Sequence, residues 1–202
     1  MAKSTETRPV AGLDATVESE VQEPLSGSEL LVTPDDDQAP VVSVVMPTMN
    51  EERGIGACIQ SVKNALEELQ VYGEVVVSDS SSDQTPEIAR SEGARVITPD
   101  QGGYGYAYQY AFEHVRGQYV VMGDADTTYD FREIPRLLSC ITDGDADIVM
   151  GDRLGGNIKD GAMPALHQYV GNPALTWFLN LFYDASVSDA HSGLRVFRKD
   201  VL

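Results

Sequence analysis

The chain predicts an α/β fold built on a doubly wound, mostly parallel sheet. Three observations carry this. Short apolar runs rich in Val and Ile recur along the sequence, the pattern of strands buried on both faces. Segments with apolar residues at three- and four-residue steps separate them, as helices would. Polar clusters of Asp, Ser, Thr and Gly follow three of the runs, at the strand ends where open α/β sheets bind their ligands.

The elements follow in order. Residues 1–39 are rich in Glu, Asp, Ser, Thr and Pro, lack periodicity and end in "TPDDDQAP", so they read as an acidic, disordered leader, with one folded domain expected over 40–202. "VVSVVM", from Val41 to Met46, is the first strand, stopped by "PTMNEE". Ile55, Cys58, Ile59, Val62, Leu66 and Leu69 mark a helix that ends near Gly73. "EVVVS" (Glu74 to Ser78) is the second strand, and a polar turn leads to a helix from Pro86 with Thr85 as its N-cap. "ARVITP" is the third strand, Tyr104 to Val115 a helix, "QYVVMG" the fourth strand, Arg132 to Cys140 a helix and "ADIVMG" the fifth strand. No internal repeat appears.

Composition narrows the function. A chain of 202 residues, 42% hydrophobic, is long enough to bury the core of one ordinary domain. Its 32 acidic residues against 14 basic ones give a net charge of −18 and exclude a nucleic-acid binder, which needs a basic face. The acids are spread along the whole chain and lysine is scarce (Lys3, Lys63, Lys159, Lys199), which points to adaptation to high salt, where ~1 M ions screen charge within about 3 Å. Cys58 and Cys140 fall in predicted helices, match no metal or redox spacing, and are expected to be buried, reduced thiols of a cytosolic protein. Met1 to Glu29 is acidic and holds no apolar run, unlike a secretory signal. No run approaches the ~18 apolar residues of a membrane span, so membrane contact is expected to be peripheral.

Four clusters could carry chemistry. In "GDADTTYD", Asp124 and Asp126 stand one residue apart, so in an extended segment both side chains face the same way, and Thr128 continues the spacing. Oxygen-only ligands suit Mg²⁺ or Mn²⁺; the alternative is chance placement of loop acids in an acidic protein. In "SDSSSDQT", Asp83 is expected to bond its own backbone and cap the next helix, while Asp79 could accept from a nucleobase or ribose. Asn50 is expected to cap the helix after the first strand, and Glu51 either favours its dipole or meets a ligand. Arg153, in "GDRLGG", could bind a diphosphate with its planar fork or form a surface ion pair, and Gly151 to Gly161 reads as a mobile flap. Gly103-x-Gly105 lacks the third glycine of a dinucleotide fingerprint and reads as a turn into a helix with Tyr104, Tyr106, Tyr108 and Tyr110, some of them core.

"PTMNE", "VVVSDSSSDQT", "GDADTTYD", "GDR" and "SDAHSGLRVFRKDVL" occur in the order and spacing of family-2 glycosyltransferases. Within that family the chain resembles the dolichyl-phosphate mannose synthases and their archaeal dolichyl-phosphate hexosyltransferase relatives, over Val41 to Leu202. The resemblance implies the GT-A fold, a Rossmann-like doubly wound, mixed but mostly parallel sheet. It further implies transfer of a hexose from a nucleotide sugar (GDP-mannose or UDP-glucose type) to a polyprenyl phosphate, metal-dependent and inverting. The setting implied is the cytoplasmic face of the membrane of a halophilic archaeon.

Position by position, the resemblance makes Pro47, Met49, Glu51, Val77 and Asp79 the nucleotide pocket and brings Asp124 and Ala125 to the nucleoside. Asp126 and Thr128 would hold the metal, and Arg153 would reach the diphosphate. Asp189 is a base or an orienting group, and His191 and Arg195 either meet the acceptor phosphate or form an ordinary strand edge. "MPALHQYVGNPALTWFLNLFYDA" reads as helical core or as an aromatic surface at a membrane.

Two departures stand out. Ser78 replaces the first of two aspartates common among relatives, and those relatives continue beyond "RVFRKDVL", so a domain truncated at its C-terminus is expected. The alternatives are a catalytically incomplete nucleotide-sugar binding protein and a sugar nucleotidyltransferase. The latter should carry a basic residue in a glycine-rich loop directly after the first strand, and "PTMNEER" lacks that loop.

Overall fold

The computed structural model describes residues 23–144, 146–152, 172–183 and 192–202. The elements are α1 (Gly27–Leu30), β1 (Val42–Thr48), α2 (Ile55–Leu69), β2 (Gly73–Asp79), α3 (Thr85–Ser91), β3 (Arg95–Ile97), α4 (Tyr104–Phe112), β4 (Tyr119–Met122), α5 (Ile134–Thr142), β5 (Ile148–Met150), α6 (Asn172–Tyr183) and β6 (Arg195–Arg198). They build a six-stranded sheet in the order β3-β2-β1-β4-β6-β5. β1 to β4 are parallel, while β6 runs antiparallel to both β4 and β5. The sheet is therefore mixed and mostly parallel, as the resemblance implies.

Both faces are covered, which explains the continuous apolar runs. Val42, Val44, Met46, Val75, Val77 and Val121 pack with Ile55, Ile59, Val62 and Leu66 of α2 and Ile134, Leu138 and Ile141 of α5. The alternate residues Val45, Val76 and Val120 pack with Phe197 of β6, Tyr108 and Ala111 of α4, and Val115. Helix on one side, sheet, helix on the other: the core lies in two layers.

Four expectations are corrected. β1 does not stop at Met46: Pro47 and Thr48 stay in register with Ser78 and Asp79, and the Ser80 amide closes the end on the Thr48 carbonyl at 3.0 Å. The leader does not remain apart through residue 39. Leu30, Leu31 and Val32 are buried, Leu31 bridges Gly73, and the Val32 amide donates to the Gly73 carbonyl at 2.7 Å. Three adjacent apolar residues are too few to show a period, so composition hid this strap. Thr85 is the first residue of α3 rather than its cap, although Asp83 accepts from the Thr85 amide at 3.0 Å, as expected of it. Cys58 is buried, but Cys140 lies on the exposed face of α5.

The segment "RVFR" shows no strand pattern of its own, yet β6 separates β4 from β5, with Val121 opposite Val196 and Val149 opposite Val196 on its other edge. Four residues pairing on both sides with distant segments carry almost no local signal.

Candidate functional site

Between β1 and β4 the winding reverses: β2 and β3 lie on one side of β1 and the later strands on the other. Loops that leave the sheet in opposite directions open a crevice there, the usual ligand position in such sheets. The Gly123 amide donates to the Val45 carbonyl at 3.2 Å, so the loops after β1 and β4 start side by side.

The loop after β1 is stitched to the loop after β2. The Asn50 amide donates to Ser81 Oγ at 2.8 Å, the Ser82 amide to Asn50 Oδ1 at 3.0 Å and the Glu51 amide to Thr85 Oγ1 at 2.9 Å. Asn50, with φ of 63°, thus ties two loops together and does not cap α2, which starts after Gly54. Asp79, almost fully buried, accepts from Thr48 Oγ1 at 2.7 Å and from Ser81 Oγ at 2.6 Å.

Gly54 brings the third loop in. A Cβ there would lie 2.4 Å from the Ala125 carbonyl oxygen, so only glycine lets the Asp124–Thr128 segment cross the start of α2. That crossing sets acids together. Burial first, then the negative charges of Asp126, Asp83 and Asp124, raise the Glu51 carboxyl above the ordinary glutamate range.

The Asp124–Thr128 segment is a bend, not the extended run that alternation assumes. The Thr128 amide turns back to Asp126 Oδ1 at 2.9 Å, and Thr127 adopts φ of 66°. Asp126 and Thr128 are exposed and Asp124 is half-buried. Asp124 Oδ1 accepts from the Tyr104 hydroxyl at 2.7 Å and from the Tyr108 hydroxyl at 3.5 Å. Burial, then the bond to Asp124, push the Tyr104 phenol up to about 12. The tyrosine spacing held this signal, since positions four apart share one helix face, but nothing in the sequence aims that face at Asp124. The third aspartate of the cluster serves the fold instead. Asp130 pairs with Arg132 at 2.6 Å, and that hydrogen bond lowers its carboxyl to about 2.

The other expected residues divide. Pro47 is half-buried at the strand end and Met49 is 71% exposed beside it. Val77 and Ala125 are buried in the core, so their side chains offer a ligand no surface, and only their backbone could touch one. Arg195 opposes Met122, which puts it at the same rim because β6 is antiparallel, and its Nε donates to the Ser192 carbonyl at 2.9 Å. Arg153, Asp189 and His191 lie outside the described residues.

Among the described residues no group of three or more His, Cys, Asp or Glu side chains is placed to hold a metal ion by itself. The donors at the rim are oxygens, and burial, with the charges of Asp126, Asp83 and Asp124 added to it, raises Glu51. Both suit a hard divalent cation whose remaining shell comes from water and a phosphate ligand.

Comparison with known proteins decides the lineage. The model of Glycosyl transferase family 2 matches residues 43–202. The chain belongs to Glycosyl transferase family 2. Among family members, it is 65% identical over 175 residues to the low-salt glycan biosynthesis hexosyltransferase Agl6 of Haloferax volcanii, covering 87% of this chain and 42% of that protein. It is 37% identical over 161 residues to the dolichyl-phosphate hexose transferase of the same organism, covering 80% of this chain and 68% of the relative. The chain therefore spans less than half of the first of these family 2 proteins. Of solved structures, glucosyl-3-phosphoglycerate synthase from Mycobacterium tuberculosis with Mn²⁺, UDP and glucosyl-3-phosphoglycerate is similar at TM-score 0.62 and 25% identity, over 81% of this chain and 58% of that one. These neighbours share the GT-A fold with the mixed sheet described above.

Proposed function

We propose that the chain carries the donor site of a metal-dependent, inverting hexosyltransferase. It would move a hexose from a GDP- or UDP-sugar to a polyprenyl phosphate. The observation that supports this reading is the approach of Asp126, Asp83 and Asp124 to Glu51 beside the β1/β4 switch point, where their charges add to burial in raising the Glu51 carboxyl and a bound cation would offset them. The solved neighbour that holds Mn²⁺ with UDP supports a divalent metal, and the Haloferax dolichyl-phosphate hexose transferase supports the lipid phosphate.

In this reading Asp126 and Thr128 hold Mg²⁺ or Mn²⁺, while Glu51, Asp79 and Asp124 meet the nucleoside. A bound divalent cation would take up charge that develops on the leaving diphosphate. Arg153 reaches the diphosphate, and Asp189, His191 and Arg195 belong to the acceptor side. A phosphate monoester is anionic near neutral pH, so its oxygen attacks without a strong base, and Asp189 need only orient its neighbours.

The described part of α6 supports a membrane-surface setting. Leu175, Trp177, Phe178, Leu181 and Phe182 are all exposed, and the helix has no charged residue in a chain of net charge −18. No described helix is long and apolar enough to cross a membrane.

The test is incubation with Mn²⁺, labelled GDP-mannose or UDP-glucose, and dolichyl phosphate. Label in the lipid phase is expected; binding heat without turnover would favour a nucleotide-sugar binding protein. Asp126→Ala should abolish metal-dependent binding of the nucleotide diphosphate, and unchanged affinity would remove Asp126 from the metal site.

A further inference from the structure

We propose that Tyr104 and Tyr108 are positioning residues that fix the carboxylate of Asp124 to accept a hydrogen bond from a ribose hydroxyl. The assignment rests on the donor reading above. Asp124 follows Gly123 on a bend, and Glu51 and Asp126 lie close enough for their charges to be felt. A carboxylate there would swing away from its neighbours unless something held it. The Tyr104 hydroxyl does, donating to Oδ1 at 2.7 Å, and the Tyr108 hydroxyl stands behind it 3.5 Å from the same oxygen, at the outer limit of a hydrogen bond.

The clamp is braced from the core outward. Tyr108 is 3% exposed and its ring lies 5.9 Å from Phe112, which in turn meets Phe197 of β6 edge-on at 5.5 Å. Tyr104, one turn earlier, is 61% exposed and stands edge-on to Tyr108 at 5.2 Å. Much of its ring is in water while its hydroxyl is turned in, and its most specific contact is the bond to Asp124. Gly103, with φ of 130°, forms the turn that delivers Tyr104 to the rim, a conformation that a side chain would strain.

The experiment is calorimetric titration of UDP and GDP in Mn²⁺ into the full chain and its variants. Tyr104→Phe keeps the ring and removes the donor. Affinity for the preferred diphosphate should fall about tenfold, the size of one charge-assisted hydrogen bond, with the melting temperature essentially unmoved. In an Asp124→Asn background the same replacement should have little effect, since its target is already altered. Wild-type affinity in Tyr104→Phe, or an equal loss in both backgrounds, overturns the assignment. A wild-type chain that binds neither diphosphate overturns the donor reading and this one with it; a wild type that binds while Tyr104→Phe is silent overturns this one alone.

Discussion

The Gly193 amide donates to the phenolic oxygen of Tyr129 across 2.7 Å. A Cβ at position 193 would lie 2.8 Å from that oxygen and 3.0 Å from the ring. The loop after β4, which carries the acidic pair, thus sits directly on the segment that enters β6. Tyr129→Phe should leave the amide unpaired and cost about 1 kcal/mol, read as a fall of roughly 2–4 °C in melting temperature. Gly193→Ala should cost more, about 1–3 kcal/mol, because a rigid ring meets it. An alanine variant as stable as wild type would show that the two segments are not pressed together.

Gly54 sets a sharper contrast. Its virtual Cβ meets backbone, the Ala125 carbonyl at 2.4 Å, whereas two residues on, at Gly56, the nearest atom is Ile88 Cγ2 at 3.6 Å. Gly54→Ala should push the Asp124–Thr128 segment off α2, losing about 1–3 kcal/mol together with Mn²⁺-dependent nucleotide affinity. Gly56→Ala should be neutral or up to about 1 kcal/mol stabilising, as alanine favours helix. Equal behaviour of the two variants in urea melts and in titration would dismiss the close approach as a determinant of the site.

Acid stability should depend on Glu74, at the opposite end of β2 from the site. Its fully buried carboxylate accepts from Ser43 Oγ at 2.7 Å, the Arg116 amide at 2.7 Å, Arg116 Nε at 2.9 Å and Arg95 Nη2 at 3.0 Å. Burial opposes its charge, but the hydrogen bonds from Ser43 and Arg116 and the Arg95 charge outweigh it, and the carboxyl falls below the ordinary range. A folded pKa below the unfolded one gives stability that is present above the unfolded value, about 4.3, and is lost as pH falls through the folded value. Glu74→Gln should cost about 3–5 kcal/mol at pH 7 by leaving two guanidinium groups unpaired. That penalty should shrink near pH 3, and a penalty independent of pH would contradict the ionised assignment.

What was legible in the sequence was what has a period or a punctuation mark. The apolar runs and the Ile55–Leu69 spacing placed β1, β2, β4 and α2, and strand ends followed by Asp and Ser pointed to one rim of the sheet. Contacts between distant segments left no such trace. Pro47 reads as a stop but stays in the sheet, "RVFR" becomes an inner strand through partners on both sides, and Leu30–Val32 join the core from an otherwise polar leader. At that rim the acids were legible in the sequence but not their geometry. Asp124 and Asp126 share a neighbour, Glu51, because of Gly54 and a bend at Thr127, and no alternation rule contains either.

The strap formed by residues 25–32 separates stability from function. It grips the far end of α2: the Leu25 amide donates to Gln70 Oε1 at 3.0 Å, Gln70 Nε2 returns a bond to the Leu25 carbonyl at 2.9 Å, and the Gly27 amide donates to Glu67 Oε2 at 3.2 Å. Leu30 is 1% exposed against this helix and the sheet, so Leu30→Ala should cost about 2–5 kcal/mol through lost burial and a cavity. Val201→Ala, at a side chain 51% exposed, should cost far less. Because the acidic crevice lies at the opposite end of α2, folded Leu30→Ala protein at low temperature should bind a nucleotide diphosphate with wild-type affinity. A matched loss of affinity would mean that the strap reaches the site through the helix, and that Gly54 keeps its contact with Ala125 only while the other end of α2 is held.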